Sequence, residues 1–306
     1  MYFTIFLGTM EQGLLWALMV LGVYITFRVL NYADLTVDGS FALGGAVAAR
    51  LILGEIDPWA ATLVAFFAGG IAGLITGILH TQFKIAPLLS GILSMIALYS
   101  VNLRIMGKAN ISLLRLDTVI TGVTRLGVEE KWAALVIGIG AAVLAVILLW
   151  LFLNTEIGFA LRATGDNGQM IRSLGVNTNA MKILGLSMSN ALVALSGALV
   201  AQYQSFADIG MGIGTIVIGL ASVIIGEVIF GANSIMRTLA AVVLGSLVYR
   251  IVIAFVLQLG LEPTDLRLFT ALIVTVALAS PVLKAKVQRC FFLGRSETGA
   301  ENEKCA

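Results

Sequence analysis

An all-α polytopic bundle of about 8–10 membrane spans, carrying an inverted internal repeat, is the fold class this sequence predicts. Composition is the first reason: of 306 residues, 59% are apolar and 12% charged, with a mean hydropathy of +1.01. Soluble domains carry roughly 25% charged residues, so most of this chain belongs in membrane lipid. The second reason is the run length. Apolar stretches rich in Leu, Ile, Ala and Gly recur at lengths of about 17–25 residues, enough to cross a bilayer as helices and too long for the strands of a β-barrel. The third is a pair of similar stretches, one in each half of the chain.

In chain order, the expected spans are 13–30, a shorter one at 40–54, then 58–79, 86–106, 132–153, 183–202, 212–230, 235–257 and 267–283. The first follows a start with no basic residues, so it reads as a retained span and not as a cleaved signal. The run at 40–54 is short and follows Asp34, Asp38 and Gly39, which fits a helix that begins inside the protein. In 58–79, Gly69, Gly73 and Gly77 share one face and permit close helix approach. Ser187, Ser189 and Asn190 lie early in 183–202, where bonding to a neighbouring helix is their expected role. Glu227, near the end of 212–230, is expected to pair with Arg237 across the next turn, while Arg250 is expected near the far face, snorkelling or facing the interior.

Residues 154–182 form a polar interruption between two apolar spans. A short helix of about 8 residues is expected there. Asp166 or Asn167 supplies the oxygen that caps its free N–H groups, and Gly175 takes the left-handed turn that ends it. Met170, Ile171 and Leu174 fall on one face, and so short a helix is unstable alone in water, so another protein is expected to cover that face. An amphipathic loop on the lipid surface is the alternative, but such segments usually carry more basic residues and aromatic anchors.

Lys and Arg favour the cytoplasmic side of short loops. The tail at 284–306, with Lys284, Lys286, Arg289, Arg295 and Lys304, is therefore expected inside. Counting back through the spans puts 154–182 inside and the N-terminus outside. The loop at 107–131 disagrees, holding Lys108, Arg115, Arg125 and Lys131 on the outer side with Asp117, Glu129 and Glu130. The two cysteines, Cys290 and Cys305, suggest no disulfide framework. His80 is the lone histidine and no metal-ligand spacing exists, so no metal site is expected, and a net charge of +2 argues against nucleic acid as a partner.

The repeat pairs Tyr32-Ala33-Asp34-Leu35 with Phe206-Ala207-Asp208-Ile209. Gly39-Ser40 then leads to Gly44, and Gly214-Thr215 to Gly219. An odd number of spans between the copies sends the second to the opposite face, the mark of an inverted repeat. Ser40 and Thr215 are matched positions. Their hydroxyls either meet a passing substrate or bond the carbonyl four residues back.

The run Arg162-Ala163-Thr164-Gly165-Asp166-Asn167, followed by Arg172-Ser173-Leu174-Gly175-Val176-Asn177, resembles the cytoplasmic coupling segment of ATP-binding-cassette importer permeases of the branched-chain amino acid and ribose type. Asn31-Tyr32-Ala33-Asp34-Leu35-Thr36-Val37-Asp38-Gly39-Ser40 resembles the stretch after the first span in the same family, closest to a bacterial subgroup linked to tryptophan- and tyrosine-type binding proteins. The stricter Glu-Ala-Ala form of the coupling motif is absent. The resemblance implies a permease subunit in a bacterial inner membrane, one transmembrane domain over 1–306, moving a small polar solute such as an amino acid. It implies a second permease copy, an extracytoplasmic substrate-binding protein, and a separate ATPase that holds ATP and Mg and docks on Arg162, Ala163, Gly165, Asp166, Asn167, Met170, Ile171, Arg172, Leu174 and Gly175. Asp34, Asp38, Ser40, Asp208 and Thr215 are candidates for the translocation pathway. The three acids either contact the amine of an amino-acid substrate or cap the helices that follow them.

The sequence holds no GxxxxGK[ST] phosphate loop and so no ATP site of that kind, and no cofactor of its own is expected. A secondary transporter driven by ions or protons is the competing reading, but it needs a coupling carboxylate deep in the bilayer, and the acids here sit at span ends. An embedded enzyme would need paired acids within spans or a GxSxG elbow, and neither is present.

Overall fold

The computed structural model describes residues 2–125, 127–258 and 275. The expected span at 267–283, Thr275 apart, and the tail at 284–306 with its two cysteines lie outside them. Ten α-helices and a two-stranded antiparallel pairing make up the described part. Seven of the helical stretches are long and apolar enough to cross a membrane.

Helix α1 (Tyr2–Tyr24) runs on into a π-helical turn, Ile25–Val29. Helix α2 (Thr36–Leu53) follows, starting four residues earlier than the expected run at 40–54. Helix α3 (Pro58–Thr81) is opened by Asp57, whose carboxylate accepts from the amides of Trp59 and Ala60, with Pro58 where its missing N–H costs nothing. Helix α4 (Pro87–Met106) ends on Gly107 at φ 71°. Helix α6 (Glu130–Leu153), α8 (Thr178–Gln204) and α10 (Ile235–Gln258) are the remaining long members, and α9 (Thr215–Phe230) is shorter. The disputed loop at 107–131 folds into strand β1 (Asn110–Ser112) and helix α5 (Val119–Arg125). β1 pairs with β2 (Phe206–Asp208), which closes one end of the bundle. At the opposite end lies α7 (Glu156–Ser173).

Helices α1, α2 and α8 form the buried centre, with α3, α4, α6 and α10 around them presenting apolar side chains outward. The expected glycine face is confirmed: a Cβ on Gly69, Gly73 or Gly77 would strike Asn190, Leu186 and Ile183 of α8 in turn. With no side chain between them, the two backbones pack directly.

The two repeat copies run in opposite directions. Helix α2 runs with α8, since Ser40 bonds Asn190 and Gly45 lies beside Ala201. Helix α9 starts beside Asp38 and runs toward the α7 end, where Glu227 meets Arg28. Each copy enters from one end as non-helical chain and turns helical only inside the bundle, as an inverted repeat requires.

Candidate functional site

Two regions gather the residues singled out from sequence, and the first is α7. It is longer than the expected short helix and has two legs. The first begins at Thr155, whose hydroxyl accepts from the Gly158 amide. It buries Gly158, Leu161 and Thr164 on one side. Gly165 lies against the Val29 carbonyl and the Leu30 backbone, so no larger residue fits between this leg and the end of the π-turn. The helix breaks at Asn167, with φ −151° and ψ 86°. Asn167 then caps the second leg, its Oδ1 accepting from the Met170 amide at 3.1 Å. Of the two expected caps, Asn167 serves; Asp166 stands exposed on the preceding turn.

The second leg closes as the sequence suggests. Gly175 has φ 87°, its amide donates to Arg172, and the Val176 amide donates to Ile171, the paired bonds of a Schellman stop. Met170 is 59% and Leu174 68% exposed, and Ile171 is half-buried between them. Arg172 crosses the turn, its Nη2 donating to the Thr178 hydroxyl at 2.8 Å. That ties the leg to the first residue of α8, which Asn177 caps. Arg162 lies 5.5 Å from the Phe159 ring, and Ala163 is half-buried beside it.

The second region is the junction where α2 and α9 begin. Asp34 is 2% exposed; Oδ1 accepts from the Thr36 amide at 2.9 Å and Oδ2 from Asn190 Nδ2 at 2.7 Å. Ser40 donates to Asn190 Oδ1 at 2.7 Å, so one amide joins Asp34 and Ser40. Asn190 lies roughly 18 Å along α8 from Thr178, well inside the bundle.

Asp38 does not cap its own helix. It sits in the first turn of α2 and caps α9 instead: its carboxylate accepts from the Gly214 amide, the Thr215 hydroxyl and the Ile216 amide, all at 2.9 Å. Ser40 and Thr215 thus bond across helices, not to the carbonyl four residues back. Asp208 lies apart from these four. It makes the same local turn as its repeat partner, accepting from the Gly210 amide at 2.7 Å, but it stands in β2 opposite Asn110.

Ser187 and Ser189 donate to the carbonyls of Gly70 and Gly22, neighbours on other helices as expected. Glu227 does not pair with Arg237. It meets Arg28 at 2.9 Å, and Arg237 donates to the Phe230 carbonyl. Sequence reasoning gave no sign of the chain from Thr36 through Thr76 to Ser94, joined at 2.9 and 2.7 Å. Hydroxyls in apolar runs show that a partner is needed but not which one.

The geometry defines a multi-pass membrane protein with interior helix starts and a polar, two-legged helix at one end. Residues 5–279 match the family described as branched-chain amino acid transport system / permease component. A tyrosine transport system permease protein of Clostridioides difficile is 44% identical over 283 residues, covering 92% of this chain and 93% of its own. The ribose import permease protein of Escherichia coli is 25% identical over 258 residues, 80% of this chain and 78% of its own. Among solved structures, PsaBC from Streptococcus pneumoniae in complex with Fab superposes with a TM-score of 0.51 over 89% of each chain at 14% identity, a likeness of fold. The chain belongs to the branched-chain amino acid transport permease family. It is the membrane-spanning permease component of an ATP-binding-cassette import system.

Proposed function

We propose that this permease moves an amino acid inward across a bacterial inner membrane, with a separate ATPase docked on the second leg of α7. The observation that carries the docking surface is the exposure of Leu174 and Met170 on a capped, closed helix: two large apolar side chains held out on a rigid support. ATP and Mg sit on that partner subunit; the permease sequence has no phosphate loop of its own. The α7 end then faces the cytoplasm, where ATP is, and the C-terminal tail lies on the same side. The β1–β2 end faces outward, toward a substrate-binding protein, and a second permease copy completes the channel.

Two contacts carry force from the leg into the bundle. Gly165 bears on the end of α1, and Arg172 holds the start of α8. α8 in turn holds Asn190, the amide that joins Asp34 and Ser40. We place the translocation pathway beside this junction, with Asp34, Asp38, Ser40 and Thr215 as its polar layer and Asp208 toward the outer mouth. Helices that begin inside a membrane protein point their free N–H groups at such a route. The relative named for tyrosine transport, matched over nearly its whole length, supports an amino acid as cargo.

Co-purification tests the docking surface. The permease expressed with its ATPase should hold it through purification, and Leu174→Asp should release it while still inserting in the membrane. Undiminished binding by Leu174→Asp would remove this leg from the interface. For the cargo, vesicles holding the assembled importer and its binding protein should accumulate labelled tyrosine only with ATP. Accumulation by the permease alone on an ion or proton gradient would instead favour a secondary transporter.

A further inference from the structure

Helix α6 packs on α1 while α3 packs on α8, and a groove is left between α3 and α6 with α8 as its floor. It holds about 560 Å³, and its walls are apolar apart from Thr62. Leu63 and Phe66 come from α3, Leu144 and Leu148 from α6, Leu192 and Leu195 from α8. On α6 the lining runs from Val136 to Leu149, roughly 20 Å. Trp132 and Trp150 stand near the two ends of that helix, about 27 Å apart. That matches the roughly 30 Å hydrocarbon core between the two aromatic belts of a membrane protein. The groove therefore lies in hydrocarbon, and it is longer than the roughly 15 Å depth of one leaflet.

At the β1–β2 end a polar cleft of about 490 Å³ adjoins the groove, and Trp59 lines both. Trp59 is half-exposed, and its indole N–H bonds nothing among the described residues. The cleft is lined by Arg115, Arg125, Glu55, Asp57 and Asp117. Arg125 and Asp117 pair at 2.7 Å, and Asp57 caps α3 through Oδ2, leaving Oδ1 open. Arg115 and Glu55 line the same cleft, yet neither forms an ion pair among the described residues. Both stand at positive φ, 67° and 61°, a region few residues other than glycine adopt and one that gathers at ligand clamps. An anion alone would satisfy Arg115 but meet the carboxylates; a cation alone would leave Arg115 unpaired. A ligand carrying one charge of each sign suits both.

We propose that cleft and groove together hold one phospholipid whose headgroup carries both a phosphate and a primary amine. The phosphate sits on Arg115 and the Trp59 N–H, and the ammonium on Glu55 and Oδ1 of Asp57. One acyl chain lies in the groove along α8. The lipid belongs to the leaflet at the β1–β2 end, the outer one in the orientation proposed above. The site depends on neither the cargo nor the ATPase.

Native mass spectrometry of the full-length permease, stripped of lipid in detergent and titrated with single lipids, tests this. Phosphatidylethanolamine should bind at one saturable site. It should bind roughly ten-fold more tightly than phosphatidylglycerol, which lacks the amine, or phosphatidylcholine, whose quaternary amine has no N–H to donate. Glu55→Gln should erase that preference, and Arg115→Gln should weaken all three lipids about equally. Glycerophosphoethanolamine, the headgroup without chains, should not displace the lipid; displacement would make the cleft a site for a soluble zwitterion and end the proposal. Gly140 tests the groove. A Cβ there meets nothing within 4 Å, so Gly140→Phe projects a ring into the groove without disturbing the packing. It should lose the lipid while unfolding at the wild-type temperature in lipid-free detergent. Full phosphatidylethanolamine binding by Gly140→Phe, or equal binding of the three lipids by the wild type, would overturn the site. So would a change of oligomeric state in Gly140→Phe with lipid retained, which would mark the groove as a contact between copies of this chain.

Discussion

Asp38 caps a helix that begins far away in sequence: its Oδ1 lies 2.9 Å from the amide nitrogen of Ile216, and the same carboxylate takes the Gly214 amide and the Thr215 hydroxyl. One side chain from the first repeat copy therefore satisfies the open start of the helix built by the second. In lipid there is no water to do this instead.

Replacing Asp38 by Ala strips three bonds from one helix start. Loss of a cap costs roughly 0.5–2 kcal/mol, and the charge-assisted bonds lost here place Asp38→Ala at the upper end or beyond. Asp38→Asn keeps an acceptor for two of the donors and should cost less. Thermal unfolding of the solubilised protein should rank wild type above Asn above Ala; an Ala variant as stable as wild type would contradict the cap.

At Asp34 and Asn190 the 2.7 Å bond is buried and one partner is an acid. Hydrogen bonds between membrane helices average only about 0.6 kcal/mol in double-mutant cycles. Bonds to charged groups run higher, about 1.5–3 kcal/mol. A cycle through Asp34→Ala and Asn190→Ala should give a coupling nearer the second figure. Coupling at the membrane average would show that Asp34 takes its second bond from elsewhere once Asn190 is gone.

Arg28 and Glu227 make an ion pair of the opposite kind, with the arginine side chain 59% exposed. Such pairs contribute about 0–1 kcal/mol. Arg28→Ala should therefore leave unfolding almost unchanged, and raising salt should erase what difference there is. A loss of several kcal/mol would mean that the pair is dry.

Gly165 predicts a loss of coupling on top of a loss of stability. A side chain there must displace the Val29 carbonyl. Gly165→Val is therefore expected to tilt the first leg of α7 off α1, so that ATPase binding persists while transport per ATP hydrolysed falls several-fold. Measuring uptake and hydrolysis on the same vesicles checks this. An unchanged ratio would mean that force reaches the bundle by Arg172 alone.

Much of the architecture was legible because lipid imposes a simple rule on sequence. Long apolar runs had to be helices, and the glycines at 69, 73 and 77 had to face something close. The stop at Gly175 and the cap at Asn167 are local chemistry and could be read directly. The first leg of α7 was missed because its buried residues, Gly158, Leu161 and Thr164, include only one large apolar side chain. Their three-residue spacing after Thr155 was the available signal. Partners across the bundle were not legible. Glu227 had a cation nearby in sequence, Arg237, and chose one 199 positions away. Asp38 precedes a helix and serves another. Which helices become neighbours is decided by packing, and no short-range pattern records it.

The bare backbone contact between α3 and α8 bears on how turnover must work. Helices that touch without side chains between them have no cushion that can deform, so these two travel together. A second such seam joins α9 to α10, where Gly226 lies on Ala241 and Gly245 on Ser222. Helix α2 is seamed to α8 in the same way, Gly44 lying on Ala194 and Gly197 on Phe41, so the Asp38 carboxylate, reaching from α2 to the start of α9, ties the two groups and is expected to strain in any swing of one against the other.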